Sequence, residues 1–130
     1  MRLKGKTPRK RLERKLDDLF RQAVYLRDGN VCQVCGKGPL DRVECSHFVG
    51  RRNRSTRWDL YNADAKCHAC HRFMGENPGI FSDWKRKRLG SEEYDALILR
   101  GNQSWKWTLG ELESLVESLQ DFIQRINDSR

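Results

Sequence analysis

Two Cys-x-x-Cys pairs, Cys32/Cys35 and Cys67/Cys70, constrain this chain more than any other feature. Four thiolates in two such pairs can close a tetrahedral zinc site of the structural kind, which keeps no open position for substrate. Gly36, directly after the first pair, suits a tight turn that aims backbone N–H groups at the sulfurs. Cys45 is left over and reads as a small buried hydrophobe. Disulfides are the other use of such pairs. The odd cysteine count, with no apolar leader and no membrane-length apolar run, points instead to a reducing interior and a soluble cytoplasmic protein.

At 130 residues, 34% of them charged, the chain reads as one domain plus extensions. Its apolar core must be small, so a bound metal would supply much of the folding free energy. The formal charge of +8 calls for a polyanionic partner, because lysine and arginine on phosphates release condensed counterions. Basic clusters lie at 2–15, at Arg51, Arg52, Arg54 and Arg57, and at Lys85, Arg86, Lys87 and Arg88, while the final segment is acidic. A phosphate-binding surface therefore belongs to the first two-thirds of the chain. The bland alternatives are a solvated face and, for Lys85 to Arg88, a localisation string.

Leu12, Leu16, Leu19, Phe20 and Ala23 recur at helical spacing, predicting a helix from Pro8 toward Arg27 that stops at Asp28-Gly29-Asn30. Val43, Cys45, Phe48 and Val49 suggest a short hairpin, and 51–56 a loop facing substrate. A helix beginning at Asn62 or Asp64 would carry Cys67, Cys70 and His71. Asn77-Pro78 opens another, with Phe81, Trp84 and Leu89 as its stripe, and Ser91 a short one bearing Tyr94, Leu97 and Ile98. Thr108-x-x-Glu111 is a capping box leading into a stripe of Leu112, Leu115, Val116, Leu119, Phe122, Ile123 and Ile126. That stripe serves either its own domain or a homodimer contact through the C-terminal helix.

Phosphodiester hydrolysis needs a base for the attacking water and a cation for the charge growing on oxygen. His47 suits the first role, since imidazole titrates near neutrality. His71, fixed by the adjacent Cys70, suits the second, and the amide of Asn62 can brace the hairpin that carries His47.

The order Cys-x2-Cys, His47, Asn62, Cys-x2-Cys-His71 resembles the HNH nucleases, whose ββα-metal fold carries a base histidine, a bracing asparagine and a metal ligand at the start of the helix. Closer is the resemblance to the phage recombination family called NinG or Rap. It is carried by Leu19-Phe20, Arg27-Asp28, Ser46-His47-Phe48, Arg51, Arg57-Trp58 and Gly75-Glu76-Asn77. The resemblance covers 16–101, leaving a basic N-terminal arm at 1–15 that runs into a helix, and a linker with amphipathic helix at 102–130. It implies an α+β fold with a small zinc-stapled, treble-clef-like ββα core and flanking helices. It also implies a phage- or prophage-encoded endonuclease using Mg2+ or Mn2+ on branched DNA such as Holliday junctions.

Two departures stand out. HNH proteins usually place an acidic or histidine metal ligand where this chain has Ser46, a poor replacement, so a catalytic cation at His71, Ser46 and Asn77 would be weakly held, or another oxygen such as Asp41, Glu44 or Asn77 would complete its shell. His71 itself stands where the NinG family commonly has asparagine. A zinc-ribbon-like DNA-binding module without hydrolysis is the alternative reading. RNA binding is a third, requiring exposed stacking aromatics such as Trp58, Trp105 or Trp107.

Overall fold

A computed structural model describes residues 7–130, so the basic side chains at Arg2, Lys4 and Lys6 lie outside the described residues. The order of elements is α1 (Pro8–Asp28), β1 (Glu44–His47), β2 (Ala63–Lys66), α2 (His68–Glu76), α3 (Pro78–Leu89), α4 (Ser91–Gly101) and α5 (Leu109–Asp128). The fold is thus α+β, with a single small sheet among the described residues.

Local chemistry sets the helix ends. The Thr7 hydroxyl caps α1 by accepting from the Lys10 N–H, proline occupies the first turn, and Gly29 closes the helix at φ 64°. The Thr108 capping box forms in full, with Glu111 reaching back to the Thr108 N–H. Between α3 and α4, Gly90 adopts φ 83°, a left-handed conformation that suits glycine.

The two strands pair antiparallel, with Glu44 opposite Lys66 and His47 opposite Ala63. This corrects two expectations. The partner of β1 is Ala63–Lys66 rather than Phe48 and Val49, and the helix expected from Asn62 or Asp64 begins only at His68. Strand alternation puts Asp64 and Lys66 on one face of the sheet, and both are buried there.

One face of the hairpin, bearing Ala63 and Ala65, packs on Leu16, Phe20, Ala23 and Val24 of α1. The same core takes in Trp58 and, from α5, Leu112, Val116 and Leu119. Full burial of each large apolar side chain contributes roughly 1.5–3 kcal/mol. Part of the α5 stripe, Leu112, Val116 and Leu119, thus packs on its own domain. Helices α1 and α5 run in the same direction. Arg9, early in α1, donates to the Trp107 carbonyl just before α5, and Arg130, past the end of α5, donates to the Leu26 carbonyl near the end of α1. Among the described residues no helix is long and apolar enough to cross a membrane.

Candidate functional site

The end of α1 positions both the knuckle and the hairpin. Arg27 donates to the carbonyls of Leu60 and Ala63, both at 2.7 Å, and Asp28 accepts from the Ala65 N–H at 2.9 Å. A hydrogen bond from the Gln33 N–H to the Ala65 carbonyl ties the first cysteine turn to β2. Cys67 caps α2, its sulfur accepting from the Cys70 N–H.

The four sulfurs of Cys32, Cys35, Cys67 and Cys70 then lie within 4.8 Å of one another. Zn–S bonds of about 2.3 Å in a tetrahedron place sulfurs about 3.8 Å apart, and Cys35 and Cys67 stand 3.9 Å apart. A disulfide would need about 2.05 Å. Burial raises the Cys32 thiol pKa, but N–H groups of Cys35, Cys67 and Val34 outweigh it and bring it down to about 6. Cys70 is pushed up to about 12 by burial and by the neighbouring sulfurs. A cation among the sulfurs would favour all four as thiolates. The donor set fits a structural zinc. Cys45, outside the cluster, is pushed up to about 12 by burial, which makes it an inert thiol.

His47 sits at the end of β1, its ring stacked on Phe20 of α1 at 5.3 Å. Its Nε2 meets the Arg57 carbonyl at 3.0 Å. A carbonyl can only accept, so Nε2 carries the proton and Nδ1 keeps its lone pair in the neutral ring. Burial lowers the His47 pKa, aided by the Arg51 charge and opposed by the bond to Arg57 and by Asp17, so the imidazole is neutral at pH 7. The adjoining cavity, about 70 Å3, is lined by Asp17, Phe20, Arg21, Cys45, His47 and Arg51. It has room for water, which needs roughly 10–15 Å3, and none for a nucleotide.

Asn62 is fully buried. Its Oδ1 accepts from the Val49 N–H at 2.7 Å, and its Nδ2 donates to the carbonyls of Val49 and Thr56 at 2.9 and 3.1 Å. The loop after His47 is thereby laced to the start of β2.

Loop 50–57 presents Arg51, Arg52, Arg54 and Arg57 around a cleft of about 390 Å3. Asp17, which sequence reasoning missed, organises it. The carboxylate accepts from Arg51 at 2.9 Å, from Arg57 at 2.7 and 3.1 Å, and from the Trp58 indole at 2.9 Å. Burial opposes its ionisation, but these bonds and charges prevail and hold it below the usual carboxylate range. Glu13 pairs with Arg54 in the same way, and among the described residues Arg52 has no ion-pair partner.

The other face of the sheet departs from expectation. Ser46 is buried and its hydroxyl accepts at 2.8 Å from the ammonium of Lys66, itself fully buried. Lys66 Nζ lies 3.6 Å from the Phe81 ring centroid and 4.8 Å from that of Trp84. Burial lowers its pKa to about 8 against the opposing pull of Asp64. An ammonium thus stands where Ser46 was expected to face a divalent cation. The Asn77 amide donates to the Phe73 carbonyl. His71 Nδ1 meets Glu44 at 2.7 Å, and His68 Nδ1 meets the same carboxylate at 3.0 Å. Both hydrogen bonds hold the Glu44 carboxyl below its usual range.

Ser46 is thus taken by an ammonium, His71 by Glu44 and the Asn77 amide by its own helix, an arrangement that does not suit the three as a shell for Mg2+ or Mn2+. Nor does His71 converge with His47. The two use opposite faces of the hairpin, and Glu44, which contacts His71, is three residues from His47, about 10 Å along a strand. The basic run on α3 also needs correction. Lys85 is fully buried and donates at 2.7 Å to Asp64, which also takes Arg88 at 2.5 Å, while Arg86 pairs with Asp95. Among these four, only Lys87 is an exposed cation without an ion-pair partner among the described residues. No family model, no curated protein and no solved structure matches this chain.

Proposed function

We propose that this chain binds DNA and hydrolyses its phosphodiester backbone as an endonuclease of the HNH kind, with branched recombination intermediates such as Holliday junctions as substrate. The observation that carries the reading is His47. Its Nε2–H is fixed on the Arg57 carbonyl and its ring is neutral, so Nδ1 is free to take a proton beside a cavity sized for water. Around that cavity stand Arg21 and Arg51, and the adjoining cleft adds Arg52, Arg54 and Arg57. Guanidinium groups suit both a bound phosphate and charge building on its oxygens. The zinc at Cys32, Cys35, Cys67 and Cys70 holds the hairpin and α2 in place and takes no part in the reaction.

A second reading, a zinc-knuckle DNA-binding module without hydrolysis, is favoured by the Lys66 ammonium on Ser46 and by the separation of His47 from His71. One experiment divides the two. Supercoiled plasmid is incubated with zinc-loaded protein, with and without added Mg2+ or Mn2+, beside the His47→Ala variant. Nicking that disappears in the variant supports the nuclease. Tight binding with no nicking under any cation leaves the binding module.

A further inference from the structure

Of the four tryptophans, Trp58 is buried with its indole N–H on Asp17, Trp84 packs over Lys66, and Trp107 donates to the Arg54 carbonyl. Trp105 is different. It remains 47% exposed, touches Trp107 only edge-on at 5.7 Å, and its N–H has no partner among the described residues. It lines a cleft of about 620 Å3 between the loops at 50–57 and 102–107. A hydrogen bond of 3.0 Å from the Asn53 amide to the Gly101 carbonyl pins the two walls together. Arg52 and Lys106 line the same cleft, and neither has an ion-pair partner among the described residues. Arg54, which it shares with the arginine cleft, is neutralised by Glu13. No carboxylate lines the cleft, and Asn102 and Gln103 add amides able to meet base edges.

We infer that this cleft binds unpaired nucleotides of DNA, with a base stacked on Trp105 and the flanking phosphates on Arg52 and Lys106. The inference rests on DNA being the partner and adds a site for it away from His47. A duplex offers only base edges and phosphates, for which an aromatic face has no use. A base outside the stack presents its own face, and such a pairing is sequence-tolerant. The volume is in the range of built ligand sites. Because the cleft shares Arg52 and Arg54 with the arginine cleft, an unpaired segment there would continue into a duplex arm lying toward His47. That arrangement would favour DNA carrying a branch or gap over a perfect duplex.

The test is binding by fluorescence anisotropy to an oligothymidylate of about a dozen nucleotides and to a blunt duplex, with zinc-loaded protein and no added Mg2+ or Mn2+. Trp105→Ala should weaken the single strand about tenfold or more and the duplex less than about twofold, with Trp105→Phe recovering most of the loss. Replacing Arg52 and Lys106 by glutamine should flatten the single-strand salt slope by about 0.7 for each. As a second measurement, oligothymidylate should quench tryptophan emission in the native chain, and Trp105→Phe should remove most of that quenching. Unchanged single-strand affinity in Trp105→Ala, or equal losses on both substrates, would overturn the inference. A native chain that binds neither substrate would sink the DNA reading itself.

Discussion

Replacing Asp64 by asparagine keeps the shape of the side chain and removes one charge from a site that water does not reach. Asp64 is 2% exposed and Lys85 0%, and their contact is 2.7 Å. Breaking a buried pair by neutralising one partner costs about 3–5 kcal/mol, because the other charge is left without compensation. Arg27 and Arg88, which also pair with this carboxylate, keep 27–28% of their side-chain surface in water, so their share is screened, while buried Lys66 also loses the pull of Asp64, which makes the lower end a floor. Urea unfolding of the zinc-loaded variant should therefore show a loss of about 3 kcal/mol or more, a midpoint shift of roughly 1–3 M.

The pH dependence follows from Lys66, whose pKa burial lowers to about 8, and from Lys85. Burial lowers its pKa in the folded protein, against the pull of Asp64, so the unfolded chain binds the extra proton. Stability then rises with pH between the folded values and about 10.4, and the Asn variant should widen that window downward. Adding Lys85→Met to Asp64→Asn removes the stranded ammonium and should recover at least about 1 kcal/mol. A single-variant loss under about 1 kcal/mol, or a double variant weaker than the single, would refute the account.

Elemental analysis should find one zinc per chain, and chelation or serine at Cys32, Cys35, Cys67 or Cys70 should unfold the protein cooperatively, seen by circular dichroism. His47→Ala should reduce plasmid nicking by about a hundredfold or more with zinc content and DNA affinity unchanged. The native rate should climb with pH through a pKa below 6.5 and then level, since His47 is depressed from that value. Asn62→Ala strands three backbone groups of Val49 and Thr56, and thermal melting should report a loss of about 2–4 kcal/mol together with weaker nicking.

The spacing of the cysteines made the metal cluster readable in sequence, and helical periodicity with Pro8, Gly29 and Thr108 as punctuation located α1 and α5. Strand β2 was not readable. Its Ala-Asp-Ala-Lys run lacks β-branched residues, and its inward charges take partners from distant segments, Lys85 for Asp64 and Ser46 for Lys66. For the same reason the basic run at 85–88 looks like a uniform cationic face in sequence, while helical geometry sends Lys85 inward and leaves Lys87 outside. The role of Asp17 was hidden because its three partners lie 34 to 41 residues away. Arg27-Asp28 was visible as a motif, but its task of clamping β2 belongs to tertiary structure.

The pairing of α1 with α5 has a consequence for biosynthesis. These helices share one apolar core, yet roughly eighty residues of chain separate them. As the polypeptide emerges from the ribosome, the hairpin can cover only part of the stripe of Leu16, Phe20 and Val24, and the rest stays open until α5 follows. Closing so long a loop raises the contact order and slows folding, while the uncovered stripe is a target for chaperones and for aggregation. Chains cut short before Leu109 should therefore accumulate as insoluble material, even with all four zinc ligands present.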